Sequence, residues 1–165
     1  MKPTVYLETT IVSYLTAHPT RDVVIAALIE QTKKWWEEER SRFELFVSSV
    51  VVREASAGDA DAARRRLAVL QSLETFEPDT EADALAGMFL RNLVMPPTAA
   101  DDALHVAIAA TRQMDYLLTW NCRHIANATA RPKLEGLCLA AGYRCPIICT
   151  PPELMSVSYE NRPDS

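Results

Sequence analysis

Short apolar runs that alternate with stretches of helical spacing limit this chain to few architectures. Val5-Tyr6-Leu7, residues 43–49 (FELFVSS), 75–78 (TFEP), 115–121 (DYLLTWN) and 145–151 (CPIICTP) read as strands. Between them, Arg21 to about Arg40 carries Val24, Leu28, Thr32 and Trp35 at three- or four-residue steps, the signature of one helical face. Ser48 or Ser49 is placed to cap a helix beginning VVVREAS, and Asp61–Leu73 is a further helical segment with the basic cluster Arg64-Arg65-Arg66. Thr80–Leu93 is helical by Ala84, Leu85, Met88 and Phe89, and Pro96-Pro97 interrupts it. Thr98 is expected to cap the apolar helix AADDALHVAIAATRQ, and a helical link around Pro132–Ala141 precedes the last strand. Strands that are continuous apolar runs, separated by helices, call for a mainly parallel sheet of about five strands covered on both faces.

The chain's 165 residues suit one domain, expected over residues 1–155, with 156–165 a frayed tail. The first residues lead straight into a strand with no apolar leader segment. No run approaches the roughly 20 apolar residues that cross a bilayer. A cytoplasmic protein with no membrane association is expected. Cys122, Cys138, Cys145 and Cys149 lack the paired short spacings of a structural zinc site and read as buried thiols. A net charge of -5 offers no general attraction to phosphate backbones, which weighs against passive nucleic-acid binding. It leaves room for a nuclease, because bound divalent ions reverse the sign locally.

In a parallel α/β fold, ligands gather outside the carboxyl ends of the strands. Glu8 follows the first strand and so falls on that edge, although a strand-end acid is often just a solvated boundary. Glu54 lies four residues after Val50 and three after Val51, sharing their helical face, where a carboxylate is costly to bury unless it is paired or ligated. A salt bridge to Arg53 is the plain alternative. Asp101 and Asp102 open the most apolar helix, where acids suit the unpaired amides. Asp102, with Val106 and Ala109 on its side, is expected to point inward, and Asp101 to act as a cap or secondary acid. His105 reads as a hydrogen-bonded core histidine. Thr119 and Asn121, leaving the fourth strand, can hold a water or a metal through oxygen, and Arg123 and His124 can meet a phosphate. Three acids from three segments at one edge would repel one another without a cation, and hard oxygen ligands select Mg²⁺ or Mn²⁺.

The order of VYLETTIVSYL, SSVVVREAS, DDALHVAIAA and YLLTWNCRHIAN over residues 4 to about 155 resembles a PIN domain, and within that group the toxin nucleases of prokaryotic type II toxin–antitoxin pairs. The resemblance implies a three-layer α/β/α sandwich and a metal-dependent endoribonuclease acting on RNA. It also implies a homodimer and a small antitoxin that threads residues into the acidic groove. Carried over position by position, it gives Glu8, Glu54 and Asp102 as metal ligands and Asn121 where many members place a fourth aspartate. Two positions depart from the pattern: Glu8 stands for the usual aspartate, and Asn121 supplies an oxygen without a charge. The competing expectation is a catalytically weak or inactive PIN-like module that binds RNA or a protein.

Overall fold

A computed structural model describes residues 1–157 of the protein. Five strands, β1 (Thr4–Leu7), β2 (Glu44–Ser48), β3 (Glu74–Phe76), β4 (Tyr116–Leu118) and β5 (Ile147–Cys149), form one sheet in the order β3-β2-β1-β4-β5. Every neighbouring pair is parallel. All carboxyl ends therefore lie on one edge. The helices are α1 (Thr9–Leu15), α2 (Val23–Glu38), α3 (Ser49–Ala55), α4 (Ala60–Leu70), α5 (Thr80–Arg91), α6 (Ala100–Thr111) and α7 (Arg131–Ala140). Helices α1 to α4 pack among themselves, as do α5 with α6 and α7, giving the expected three-layer α/β/α sandwich with its mainly parallel five-stranded sheet.

The strands are covered on both sides, which is why they read as unbroken apolar runs: Val5, Tyr6 and Leu7 are all fully buried. The chain leaves β1 for β2 and β3 on one side and returns through α5 and α6 to β4 on the other. The topological switch point is therefore the crevice between β1 and β4, where ligands bind in open α/β sheets. Glu8 N–H donates to Leu118 O at 3.0 Å and closes the ladder at this crevice.

Several local expectations change. The α1 cap is Glu8, the acid expected at the strand end, its carboxylate accepting from Thr10 N. Thr98 does not cap α6. Residues 97–99 form a 3-10 turn behind Pro96, and α6 starts at Ala100 without a side-chain cap. Trp35 is fully buried, and Trp36 sits at the margin with the Arg40 guanidinium over its ring at 4.4 Å. Cys145 precedes β5 instead of lying on one strand with Cys149. Ser156, the first residue of the expected frayed tail, is held by Glu39: its N–H and hydroxyl donate at 3.0 and 2.9 Å. The remainder of that tail beyond Val157 lies outside the described residues.

Candidate functional site

Glu8 is the last residue before α1 and is almost fully buried. Its Oε2 accepts from Thr10 N (3.1 Å), Thr10 Oγ1 (2.5 Å) and Thr119 Oγ1 (2.7 Å). The carboxylate is thus fixed by hydroxyls from both sides of the switch point rather than released into solvent. Thr119 is fully buried, and Thr10 Oγ1 accepts from Trp120 N, so the loop after β4 is stitched to the start of α1.

Glu54, in the last turn of α3, meets His105 from α6. Nε2 lies 2.5 Å from Glu54 Oε1, which also accepts from Thr9 Oγ1 at 2.7 Å. Burial works against the Glu54 charge, but the His105 hydrogen bond and charge, Thr9 and Arg53 outweigh it and hold its pKa below the usual glutamate value. Burial likewise opposes charging His105. The Glu54 hydrogen bond and the charges of Glu8, Glu54 and Asp102 prevail and raise its pKa. All three acids from three segments thus act on one buried ring. His105 is the hydrogen-bonded core histidine expected, with Tyr6 Oη 2.7 Å from its Nδ1. The salt bridge considered for Glu54 with Arg53 goes elsewhere, because Arg53 reaches Asp101 at 2.6 Å on the surface.

Asp102 turns inward relative to Asp101, with its side chain 20% exposed against 47%. Its Oδ2 meets His124 Nδ1 at 2.7 Å. Asn121 Oδ1 is spent on the turn, accepting from His124 N at 3.0 Å, and Thr119 Oγ1 accepts from Asn121 N at 2.9 Å. Arg123 is exposed on the same loop. The arginine cluster serves the fold: Arg66 donates to Ala55 O and Ala57 O beyond α3, Arg65 to Thr16 O beyond α1, and Arg64 and Arg65 both pair with Asp61.

The structure therefore brings Glu8, Glu54 and Asp102 to one edge and holds each through a single oxygen. Glu8 Oε1, Glu54 Oε2 and Asp102 Oδ1 take no hydrogen bond from the described residues. Carboxylate oxygens of this kind are the donor chemistry of Mg²⁺ or Mn²⁺. The geometry does not match: among the described residues, no three His, Cys, Asp or Glu side chains are grouped so as to hold a metal ion. As arranged, each acid is held by histidine or hydroxyl partners rather than by a shared ion. Sequence reading missed Tyr6, and took Ser48 only as a cap candidate, which it is for α3; both stand behind His105. The available signal was a tyrosine inside an aliphatic strand, since a buried phenol needs a hydrogen-bond partner.

The sheet order, the helical layers and the acid-lined switch point define a PIN-like fold. The solved structures it resembles are of the VapC and VapBC toxin–antitoxin type. VapBC2 from Rickettsia felis, solved bound to a DNA fragment from its promoter, matches with 16% identity, 89% of this chain, 98% of that chain and a TM-score of 0.57. VapC20 from Mycobacterium tuberculosis, a toxin that cleaves the sarcin-ricin loop, matches with 14% identity, 85% and 96% coverage, and a TM-score of 0.58. A toxin–antitoxin complex from Klebsiella pneumoniae matches with 14% identity, 77% and 94% coverage, and a TM-score of 0.57. No family model and no curated protein sequence matches the chain. No helix of the described residues is long and apolar enough to cross a membrane.

Proposed function

We propose that this chain is a cytoplasmic PIN-like module of the toxin–antitoxin kind. Its acid-lined edge receives basic side chains from a small protein partner, and its capacity to hydrolyse RNA is weak in this arrangement. One observation carries the reading: Glu8, Glu54 and Asp102 are each held through one oxygen and each keep the other free. A guanidinium, with five donors in a planar fork, can reach across separated carboxylates. Mg²⁺ requires near-octahedral oxygens at about 2.0–2.1 Å, a far stricter demand. The net charge of -5 also favours a cationic partner over a polyanion. The Klebsiella structure is a toxin–antitoxin complex, and an antitoxin-like partner is proposed here by that analogy of fold, with a homodimer proposed on the family resemblance alone.

A second reading, the Mg²⁺- or Mn²⁺-dependent endoribonuclease toxin, is favoured by the convergence of all three acidic charges on His105. Glu8, Glu54 and Asp102 would then be the metal ligands and Asn121, with Thr119, Arg123 and His124, the surrounding polar groups. That reading requires the three unengaged oxygens to close on one ion, which they do not do in the present arrangement.

The deciding experiment titrates wild type and Asp102→Asn with a short arginine peptide by calorimetry, and in parallel with Mn²⁺ while cleavage of a mixed RNA pool is followed. Saturable peptide binding that weakens in the variant, with little cleavage, supports the partner-binding reading. Mn²⁺-dependent cleavage abolished by Asp102→Asn moves the function to the nuclease. Peptide binding that is indifferent to Asp102 sinks the first reading.

A further inference from the structure

Behind the edge lies a hydrogen-bonded path whose inner members, Ser48 and Tyr6, neither reading uses. Ser48 caps α3, its Oγ accepting from Val51 N at 3.5 Å, and the same Oγ lies 2.7 Å from Tyr6 Oη. Tyr6 Oη lies 2.7 Å from His105 Nδ1, and His105 Nε2 lies 2.5 Å from Glu54 Oε1. Glu54 sits in the last turn of the helix that Ser48 begins, so the path returns along α3 to its own start. Ser48, Tyr6 and His105 are all fully buried. Three polar side chains in a dry core are costly unless matched, and here each meets a partner at hydrogen-bond distance.

We propose that this closed circuit, running β1–α6–α3, fixes the Glu54 carboxylate from inside the core, which makes Tyr6 and His105 positioning residues of the acid edge. The inference rests on the reading of that edge as a cation-receiving site. Nε2 donates to the carboxylate whichever charge the ring carries, and Tyr6 on Nδ1 stops the ring from swinging. Glu54 Oε1 is thereby engaged, together with Thr9, and Oε2 is left without a hydrogen bond on a side chain that is 30% exposed. In metal sites, removing a group that orients a ligand typically costs about 10–100-fold in affinity, and a carboxylate presented to a guanidinium is oriented by the same means.

The test uses Tyr6→Phe, which keeps the ring and removes the hydroxyl, alongside Glu54→Gln and the double variant, with the short arginine peptide as probe. Tyr6→Phe is expected to weaken peptide binding about tenfold. The double variant is expected to bind no more weakly than Glu54→Gln alone, since both changes act on one group. Phe89→Leu, a core change on α5, which gives no side chain to the circuit, is expected to lower the melting temperature without altering affinity. Additive losses in the double variant, or parental affinity in Tyr6→Phe, overturn the proposal. A second readout is independent of the peptide: the His105 Nε2 proton, followed by NMR. A slowly exchanging proton that shifts in both Tyr6→Phe and Glu54→Gln supports the circuit. One that exchanges rapidly and ignores both substitutions overturns it. If wild type binds no peptide, the partner reading fails, and the ring proton alone still decides whether the circuit exists.

Discussion

Thr119 shows how much one hydroxyl does at this edge. Fully buried, it donates to Glu8 Oε2 at 2.7 Å and accepts from Asn121 N at 2.9 Å. Thr119→Val keeps the shape, strands the Asn121 N–H and takes one of three donors from Glu8 Oε2, so a loss of about 1–3 kcal/mol is expected in urea unfolding. Thr119→Ser, which keeps the hydroxyl, should recover part of it. A valine variant as stable as the parent would show that Thr10 alone suffices to hold Glu8. At this scale the sequence was legible as to which acids gather, because strand ends and helix faces follow from residue spacing. It was not legible as to which group neutralises which acid. Glu54 has Arg53 as its immediate neighbour, yet pairs with His105, 51 residues away in the chain. Arg53 goes instead to Asp101, 48 residues away. Such choices depend on the register of three packed elements, which no local pattern encodes.

Among the elements, α2 carries an unexpected attachment. Glu39, buried just past its end, accepts both Ser156 N–H and Ser156 Oγ–H and pairs with Arg42, while Trp35 Nε1 donates to Leu154 O at 3.2 Å. The segment after β5 is therefore strapped along α2. Glu39→Ala removes the acceptor for two donors and leaves Arg42 without its acid. A loss of about 1–3 kcal/mol is expected, with earlier protease cleavage within residues 151–157, read by limited proteolysis and mass spectrometry. Unchanged cleavage there would assign the strap to Trp35 instead. The helices themselves were legible from their apolar spacing. The strap was not, because its sequence (PPELMSV) has no periodicity and its partner lies 117 residues away. The start of α6 was misjudged for a related reason: Thr98 is a good cap by residue type, but Pro96-Pro97 set up a 3-10 turn through it.

For the molecule as a whole, the directions in which folding shifts its ionisable groups lead us to expect a stability maximum in mildly acidic solution. Burial raises the Glu39 pKa, but the Ser156 and Arg42 hydrogen bonds bring it below 4.5, and the Thr4 backbone and Arg144 bring Asp115 below 3.8. Carboxyls depressed on folding stabilise fully above their unfolded pKa, and that contribution is lost as pH falls through the folded value. His105 acts in the opposite sense. Its raised pKa contributes below 6.5, and that contribution is withdrawn as pH rises through the folded value. Thermal melts across pH are expected to fall off on the acid side below about 4.5 and to decline gently above 6.5. A melting temperature that keeps rising into alkaline solution would mean that the His105 charge adds nothing. The alternation of strand and helix made the parallel layered fold legible, but the strand order was not, since it depends on which side of β1 each crossover lands. Because all five strands run the same way, Thr4, tied to Asp115 by a 2.9 Å hydrogen bond, marks the opposite end of the sheet from Glu8. A biotin or dye attached at exposed Lys2 would therefore anchor the molecule to a sensor chip with its acidic crevice turned towards the flowing solution.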